Sequence, residues 1–349
     1  MLIPMWSFLA ISFHSINHLD LIPGLSYQFG MLVIITFLHG PIICYAINEP
    51  LKIEVDDAGN RNWNLKPAYK IYNNPRMLHS LQDKDKSKWS QSRTSFFVYR
   101  ILKVAALFAL KTGANLAMPI LFAKCTLQSF SPAQEPIIRR IIEGSVSSHE
   151  LQIRIFLSVI WIFDSIFQLE ITHAIMAVSF VNIFQLDEPE EWPLLFGNPA
   201  DAYSITRFWG RFWHRLMSPA AVVWGRVISE YIFANLPSQV RKLFVAFFVF
   251  SVSGFSHALI GWEMGDVALD RDVYFFWGCF LAVACEVLLL SPLIEMAQSS
   301  ICSQFRVKFV NVQSFSKVVG YIWVLGFFVW LTPRLMYPKI HHSLLTTVR

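Results

Sequence analysis

Charged residues are scarce in this chain. Asp, Glu, Lys and Arg make up 15% of its 349 residues, against 54% hydrophobic residues, whereas soluble domains carry about a quarter charged residues. The basic residues cluster between apolar runs and form no continuous stripe, so no nucleic-acid partner is expected. The composition argues against two soluble domains and favours a single polytopic body with the lipid bilayer as its surroundings.

Motifs that would indicate metal or redox chemistry are also missing. The five cysteines form no C-x-x-C pair and no zinc-ligand spacing, and we predict neither a metal nor a bound cofactor. Four of them lie in or beside apolar runs, where a small buried side chain is the expected role. No internal repeat, low-complexity segment or signal-peptide cleavage site is present.

Long apolar runs are what the chain does have. A helix needs about 20 apolar residues to cross a bilayer, and the runs of about that length are 29–47, 101–122, 155–184, 243–262, 273–294 and 318–335. Residues 1–13 are expected to form a short or tilted first span ahead of these six. Residues 220–236 contain Arg226 and Glu230, which predicts a re-entrant or interfacial helix. The sequence therefore predicts an all-α polytopic membrane protein with about seven transmembrane helices, forming one domain over residues 1–349.

Lysine and arginine counts in the loops predict the orientation. Residues 48–100 form a polar loop with ten of these residues, and residues 185–242 carry six more. Two spans separate the loops, so both fall on one side, predicted to be the cytosol. The acidic loop at 263–272 then lies on the opposite side.

One cluster of charge stands out. The stretch RFWGRFWHRL at 207–216 holds three arginines, four aromatic residues and a histidine. Upstream, Gly197-Asn198-Pro199 predicts a turn, and Ser204 can cap a helix that runs from Ile205 to Pro219. On such a helix one face would carry the polar side chains and a neighbouring stripe the indoles: Arg207, Arg211 and His214 on the first, Trp209 and Trp213 on the second.

The charge cluster has two interpretations. Arginine forks donate two hydrogen bonds at once and suit phosphate, so Arg207 and Arg211 are candidate ligands of an anionic substrate at the cytosolic interface. The alternative is an interfacial belt of tryptophans with arginines extended towards the lipid headgroups. Spacing alone leaves both open.

A second candidate site lies in the stretch FFVFSVSGFSHALIGW at 247–262. His257 falls inside a predicted span and among small residues that allow close approach of a helix or substrate. Ionisable residues within a membrane usually face an interior cavity, and an imidazole can take a proton from an alcohol and release it later. The alternative is a histidine that hydrogen-bonds between helices for structure.

The two stretches together resemble the wax-synthase branch of the membrane-bound O-acyltransferases. The pattern is W-x-x-L-F-G-x-P, then S-x-x-x-F-W-G-R-x-W-H, then the intramembrane histidine, all within residues 190–262. The matching residues are Trp192, Leu195, Phe196, Gly197, Pro199, Ser204, Phe208, Trp209, Gly210, Arg211, Trp213, His214 and His257. The resemblance implies a ring of helices around a buried reaction tunnel. It also implies that His257 is catalytic, that His214 occupies the upstream polar position, and that acyl-CoA enters from the cytosol as co-substrate.

In its FWGRFWH segment and its compact length, the chain resembles fungal-type proteins that acetylate hydroxyls of terpenoid and meroterpenoid natural products. A hydrophobic alcohol is therefore the expected second substrate, and the endoplasmic reticulum the expected membrane. Long-chain wax ester synthesis is the alternative within the branch. A transporter is the alternative outside it, because Lys111, Asp164 and His173 lie in predicted spans.

Three shorter matches carry less weight. HSLQD at 79–83 matches the H-x-x-x-D of soluble acyltransferases but lies in the charged loop. HSINH at 14–18 matches one iron-binding box of desaturases without the others, and His341-His342 is expected in an exposed tail. No Ser-His-Asp arrangement or nucleophilic cysteine motif is visible, which favours direct acyl transfer without an acyl-enzyme.

Overall fold

The structure is a computed structural model that describes residues 2–16, 24–46, 54–55, 61–62, 69–70, 72–74, 76, 92–290 and 309–347. Its helices are α1 (Leu2–His14), α2 (Leu25–Ala46), α3 (Arg93–Phe122), α4 (Ile137–Ile142), α5 (Ser148–Val178), α6 (Ile205–Arg207), α7 (Ser218–Ile232), α8 (Ser238–Glu263), α9 (Asp270–Cys285) and α10 (Phe309–Thr347). Single π-helical turns continue three of them, at Ser179–Ile183, Phe208–Phe212 and Glu286–Leu290. Short 3-10 turns lie at Leu127–Phe130, Pro132–Gln134, Pro189–Glu191 and Pro199–Asp201. One antiparallel pair joins β1 (Glu54–Val55) to β2 (Arg61–Asn62).

Six helices among the described residues are long and apolar enough to cross a bilayer, at Leu25–Cys44, Arg93–Phe122, Ser148–Ile183, Ser238–Glu263, Asp270–Leu289 and Ser316–Thr346. They coincide with the six clear predicted spans, and the all-α polytopic membrane fold is confirmed. Their outward side chains suit lipid: Leu116 and Ile120 of α3 are 70% and 79% exposed. The predicted first span, α1, has 13 residues, and α7 has 15. Both have fewer than the about 20 residues that a helix needs to cross a bilayer.

One compact unit joins residues 1–88 and 215–264. Within it α8 packs against α7 and α2, and α1 packs against α2. The indole of Trp224 donates to the carbonyl oxygen of Leu38 at 2.9 Å, which ties α7 to α2. This unit carries the intramembrane histidine of the second motif.

A second compact unit joins residues 89–214 and 265–349. Helix α5 packs against both α3 and α10, and the Ser158 hydroxyl donates to the Phe328 carbonyl oxygen at 3.0 Å. Apolar side chains fill the space between the helices, with a buried cluster of Phe130, Ile153, Leu157, Ile160 and Tyr337. This unit carries the arginine- and tryptophan-rich motif.

Three pairs of ionisable residues inside the spans of this second unit lie across the α3–α5 interface. Ionisable groups within a membrane usually pair with one another, because an unpaired charge there is costly. The paired atoms are Lys111 Nζ with Asp164 Oδ1 at 2.6 Å, Lys103 Nζ with Glu170 Oε1 at 2.8 Å, and an Arg100 amino group with His173 Nδ1 at 3.2 Å. Lys111, Asp164 and His173, which suggested a transporter as the alternative function, are therefore explained as members of structural pairs.

Two sequence expectations need correction. Helix α3 begins at Arg93, where the Ser92 hydroxyl caps it by accepting from Ser95 N at 3.1 Å, so the polar loop ends earlier than residue 100. His341 and His342 belong to α10, which continues to Thr347, rather than to a tail.

The H-x-x-x-D match at 79–83 lies outside the described residues. The loop orientation, the single domain and the tunnel stay predictions.

Candidate active site

The first motif forms one folded segment because its two halves pair through the backbone. Gly197 N–H donates to the Phe212 carbonyl oxygen at 2.8 Å. A Cβ at Gly197 would collide with the carbonyl oxygen of Arg211, so only glycine permits this approach. The predicted turn that follows is a 3-10 turn, capped where the Asn198 side chain accepts from Ala200 N at 2.9 Å.

The predicted helix start is confirmed and its predicted end is wrong. The Ser204 hydroxyl accepts from Arg207 N at 3.1 Å and caps α6. The chain then widens into a π turn and leaves the helix at Trp213, whose backbone is extended. Pro219 sits in the first turn of α7 instead of ending a helix, a position where its missing N–H costs nothing. Arg207, Arg211 and His214 consequently share no single helical face.

The two arginines have different surroundings. Arg207 donates to Asp201 through two groups, at 2.8 Å to a carboxylate oxygen and 3.1 Å to the backbone oxygen, and its guanidinium lies 4.2 Å from the centre of the Tyr203 ring. Arg211 is exposed, and its side chain has no hydrogen bond or ion pair to the residues that the structure describes. Arg211 is therefore the guanidinium more available to a phosphate.

The indoles belong to an aromatic cluster. Trp213 is 8% exposed and stacks on Trp161 of α5, with ring centres 5.8 Å apart and planes 4° apart. Trp209 is half-buried and packs against Trp213 at 5.3 Å and Phe276 at 5.9 Å. His214 is also half-buried, with its ring 5.5 Å from Trp213. The aromatic side chains therefore pack against other helices of this unit.

Sequence reasoning missed Glu286, which holds α6 in place. This carboxylate is 5% exposed and accepts from four donors. Its Oε1 accepts from Ile205 N at 2.6 Å and Trp323 Nε1 at 2.7 Å, and its Oε2 accepts from Thr206 N and Thr206 Oγ1, both at 2.7 Å. A carboxylate at a helix N-terminus satisfies N–H groups that lack partners within the helix. The available signal was a glutamate inside a predicted span.

His257 lies on α8 in the other compact unit. Its Nδ1 hydrogen-bonds the hydroxyl of Tyr27, near the start of α2, and the two rings lie 5.7 Å apart. The serine hydroxyls nearby turn back onto their own helix: Ser253 donates to Val249 O at 3.0 Å and Ser256 to Val252 O at 2.7 Å. These two hydroxyls thus donate to backbone oxygens of α8, beside a half-buried imidazole.

The same unit contains an apolar cavity of about 540 Å³ between α1, α2 and α8. Its walls include Trp6, Phe37 and Phe255, and the pair between His14 and Glu263, 3.0 Å apart, lies at its edge. His257 is not among the lining residues. On α8 the lining positions 252, 256 and 259 fall on the side away from His257. The cavity does not serve the histidine.

Five of the six predicted site residues, Arg207, Trp209, Arg211, Trp213 and His214, lie in one segment of the second compact unit, and His257 lies in the first. No set of three or more His, Cys, Asp or Glu suited to a metal ion occurs in the described part of the chain. The chemistry that these side chains offer is proton transfer by imidazole and charge pairing by guanidinium.

Comparison with known proteins agrees with the motif. Residues 192–278 match the model of the membrane bound O-acyl transferase family, a range that contains all six predicted site residues. The resemblance to that family read from the sequence is confirmed. No solved structure matches the chain.

Curated relatives carry related names. Acetyltransferase spyB of Aspergillus fumigatus is 26% identical over 71% of this chain and 41% of its own length. Acetyltransferase atnC of Arthrinium sp is 27% identical over 67% of this chain and 54% of its own length. Acetyltransferase TRI7 of Fusarium sporotrichioides is 25% identical over 51% of this chain and 40% of its own length. The chain thus spans about half the length of the relatives it matches.

Proposed function

We propose that this chain is an acyl-CoA-dependent membrane O-acyltransferase that moves an acetyl group to a hydroxyl of a hydrophobic terpenoid or meroterpenoid. One observation carries the proposal: the family match at 192–278 spans the ordered motif from Trp192 through His214 to the intramembrane His257. The acetyl group is supported by relatives that are named acetyltransferases. The natural-product acceptor is supported by the resemblance of the FWGRFWH segment to fungal-type acetyltransferases.

His257 is the base of the proposed reaction. In this step Nε2 of the imidazole accepts the hydroxyl proton as the alcohol oxygen attacks the thioester carbonyl carbon. The C–S bond then breaks, and the CoA thiolate leaves with the proton from the imidazolium, so that an ester and CoA are formed and the base is restored. A position within a membrane helix excludes the water that would hydrolyse the thioester.

The motif segment is the proposed acyl-CoA site. Arg211, which is exposed and has no partner among the described residues, contacts the phosphates of acyl-CoA. Arg207 adds a second positive charge near these phosphates, and its ion pair with Asp201 fixes the loop. Trp209 is half-buried in the same segment. Trp213, which stacks on Trp161, forms an apolar wall of the proposed acyl-CoA site. His214 orients CoA or polarises the thioester from the edge of this cluster.

The setting follows from the apolar substrates. A hydrophobic alcohol dissolves in the bilayer and reaches His257 from within the membrane, while CoA stays on the aqueous side. We place the protein in the endoplasmic reticulum membrane. Acyl-CoA is a co-substrate, and the proposed reaction needs no bound cofactor.

Membranes that contain the full chain provide the test. They are incubated with labelled acyl-CoAs of two to eighteen carbons, each with a hydroxylated terpenoid or with hexadecanol. We expect acetyl ester of the terpenoid from wild type. Wax ester from palmitoyl-CoA and hexadecanol without acetyl transfer would replace the acetyl proposal, and no ester from any pair would refute the acyltransferase.

His257→Ala is the matched variant. Loss of a general base slows a reaction by about 10²–10⁴-fold, so turnover should fall below detection while the protein still inserts. The control is His342→Ala, an exposed residue near the end of α10, which should keep wild-type turnover. Near-normal turnover of His257→Ala would contradict the assigned base.

A further inference from the structure

The Tyr27 side chain lies in direct contact with the imidazole of His257. The residues are 230 positions apart, and the tyrosine hydroxyl hydrogen-bonds Nδ1 of the imidazole. The two rings are tilted by 35° with their centres 5.7 Å apart. No motif in the sequence marks Tyr27, which lies before the first clear apolar run.

Close helix packing fixes the place of this pair. Gly30, one turn after Tyr27, faces Ile260, one turn after His257. A Cβ on Gly30 would lie 3.1 Å from Ile260 Cγ1 and 2.9 Å from Ile16 Cδ1. Ser26, next to Tyr27, is 2% exposed. Helices α2 and α8 are therefore held together beside the hydrogen bond.

The bond has a chemical consequence for a base. A neutral imidazole carries one proton, on Nδ1 or on Nε2, and the hydrogen bond at one nitrogen decides which of the two is occupied. If Nδ1–H donates to the tyrosine oxygen, Nε2 keeps its lone pair and can accept a proton from an alcohol. The same Nδ1–H bond remains when the ring becomes an imidazolium, so it also stabilises the charge formed during transfer.

We propose that Tyr27 is a positioning residue for His257: its hydroxyl oxygen accepts from Nδ1–H, which holds the tautomer with a basic Nε2 and fixes the ring orientation. This inference rests on the proposed acyl transfer. Tyr27 itself touches neither substrate in the proposal, and it acts only through the imidazole.

The first test is Tyr27→Phe, which keeps the ring and removes the hydroxyl. We expect kcat to fall by about 10- to 100-fold, the loss typical of removing a partner that orients an imidazole, with the KM values for both substrates near wild type. The control is Tyr231→Phe, since Tyr231 is 90% exposed on α7.

A second variant tests the direction of the bond without removing it. Replacing Tyr27 by 3-fluorotyrosine makes the oxygen a weaker acceptor and the O–H a stronger donor. A lower kcat, by a few-fold, is expected if the oxygen accepts, and an unchanged or higher kcat would overturn the proposal. This variant keeps the size of the side chain, so it remains informative if Tyr27→Phe unfolds.

The outcomes separate the two proposals. A His257→Ala variant that stays active refutes the proposed function itself. An inactive His257→Ala together with a fully active Tyr27→Phe leaves that function standing and refutes the role of Tyr27. A Tyr27→Phe variant that raises KM as much as it lowers kcat would also refute it, because a displaced helix rather than a misplaced proton would be the cause.

Discussion

Replacing Glu286 should loosen the motif segment. Glu286→Ala leaves four donors without their acceptor: two backbone N–H groups at the start of α6, the Thr206 hydroxyl and the Trp323 indole. Each buried donor left unpaired costs about 1–3 kcal/mol. Even at the low end the four sum to roughly 4 kcal/mol, with relaxation of the segment setting how much is recovered.

The assay is thermal unfolding of the purified protein in detergent, followed by tryptophan fluorescence. A loss of roughly 4 kcal/mol lowers the midpoint of a domain of 150–250 residues by about 8–16 °C. Glu286→Gln should be intermediate, because its amide oxygen keeps two donors while its NH₂ group faces the other two.

The control is Glu143→Gln. Glu143 pairs with Arg139 at 2.8 Å on the surface, where both side chains are largely exposed, and such a pair contributes about 0–1 kcal/mol. A Glu286→Ala midpoint equal to that of this control would refute the anchoring role.

The remaining predictions concern the two ends of the same segment. Arg211→Gln should raise the KM for acyl-CoA by about 10- to 150-fold and leave kcat unchanged, since one charged hydrogen bond contributes about 1.5–3 kcal/mol. The measurement is steady-state kinetics, with Arg139→Gln, at an exposed arginine, as the control. Equal KM values in the two variants would show that Arg211 does not bind acyl-CoA. Gly197→Ala should abolish activity and lower the unfolding midpoint, because the methyl group meets the Arg211 carbonyl oxygen. Gly113→Ala is its control, as nothing lies within 4 Å of a Cβ there, and equal behaviour of the two alanine variants would contradict the close approach.

Local features were predictable from the sequence. Long apolar runs can be read directly from residue order, and each of the six predicted spans overlaps one of the long apolar helices. Caps are equally local: the hydroxyl of Ser204 starts α6 as its position before Ile205 indicated. The motif that contains Arg207, Arg211, His214 and His257 can be recognised from residue order alone.

Contacts between distant parts of the chain decided the rest. The helix expected to run from Ile205 to Pro219 stops at Phe212, where the chain pairs with Gly197, an interaction that helical periodicity does not encode. The α6 partners of Glu286 lie about 80 positions away, and Tyr27 lies 230 positions from His257. A tyrosine just before one apolar run and a glutamate inside another do not reveal their partners in the sequence, because only helix packing brings them to α8 and α6. The sequence by itself thus determined the membrane spans and the candidate reactive groups, because both depend on residue type and order. Only the tertiary structure decided which side chains hold those groups, because a hydrogen bond depends on where two helices pack.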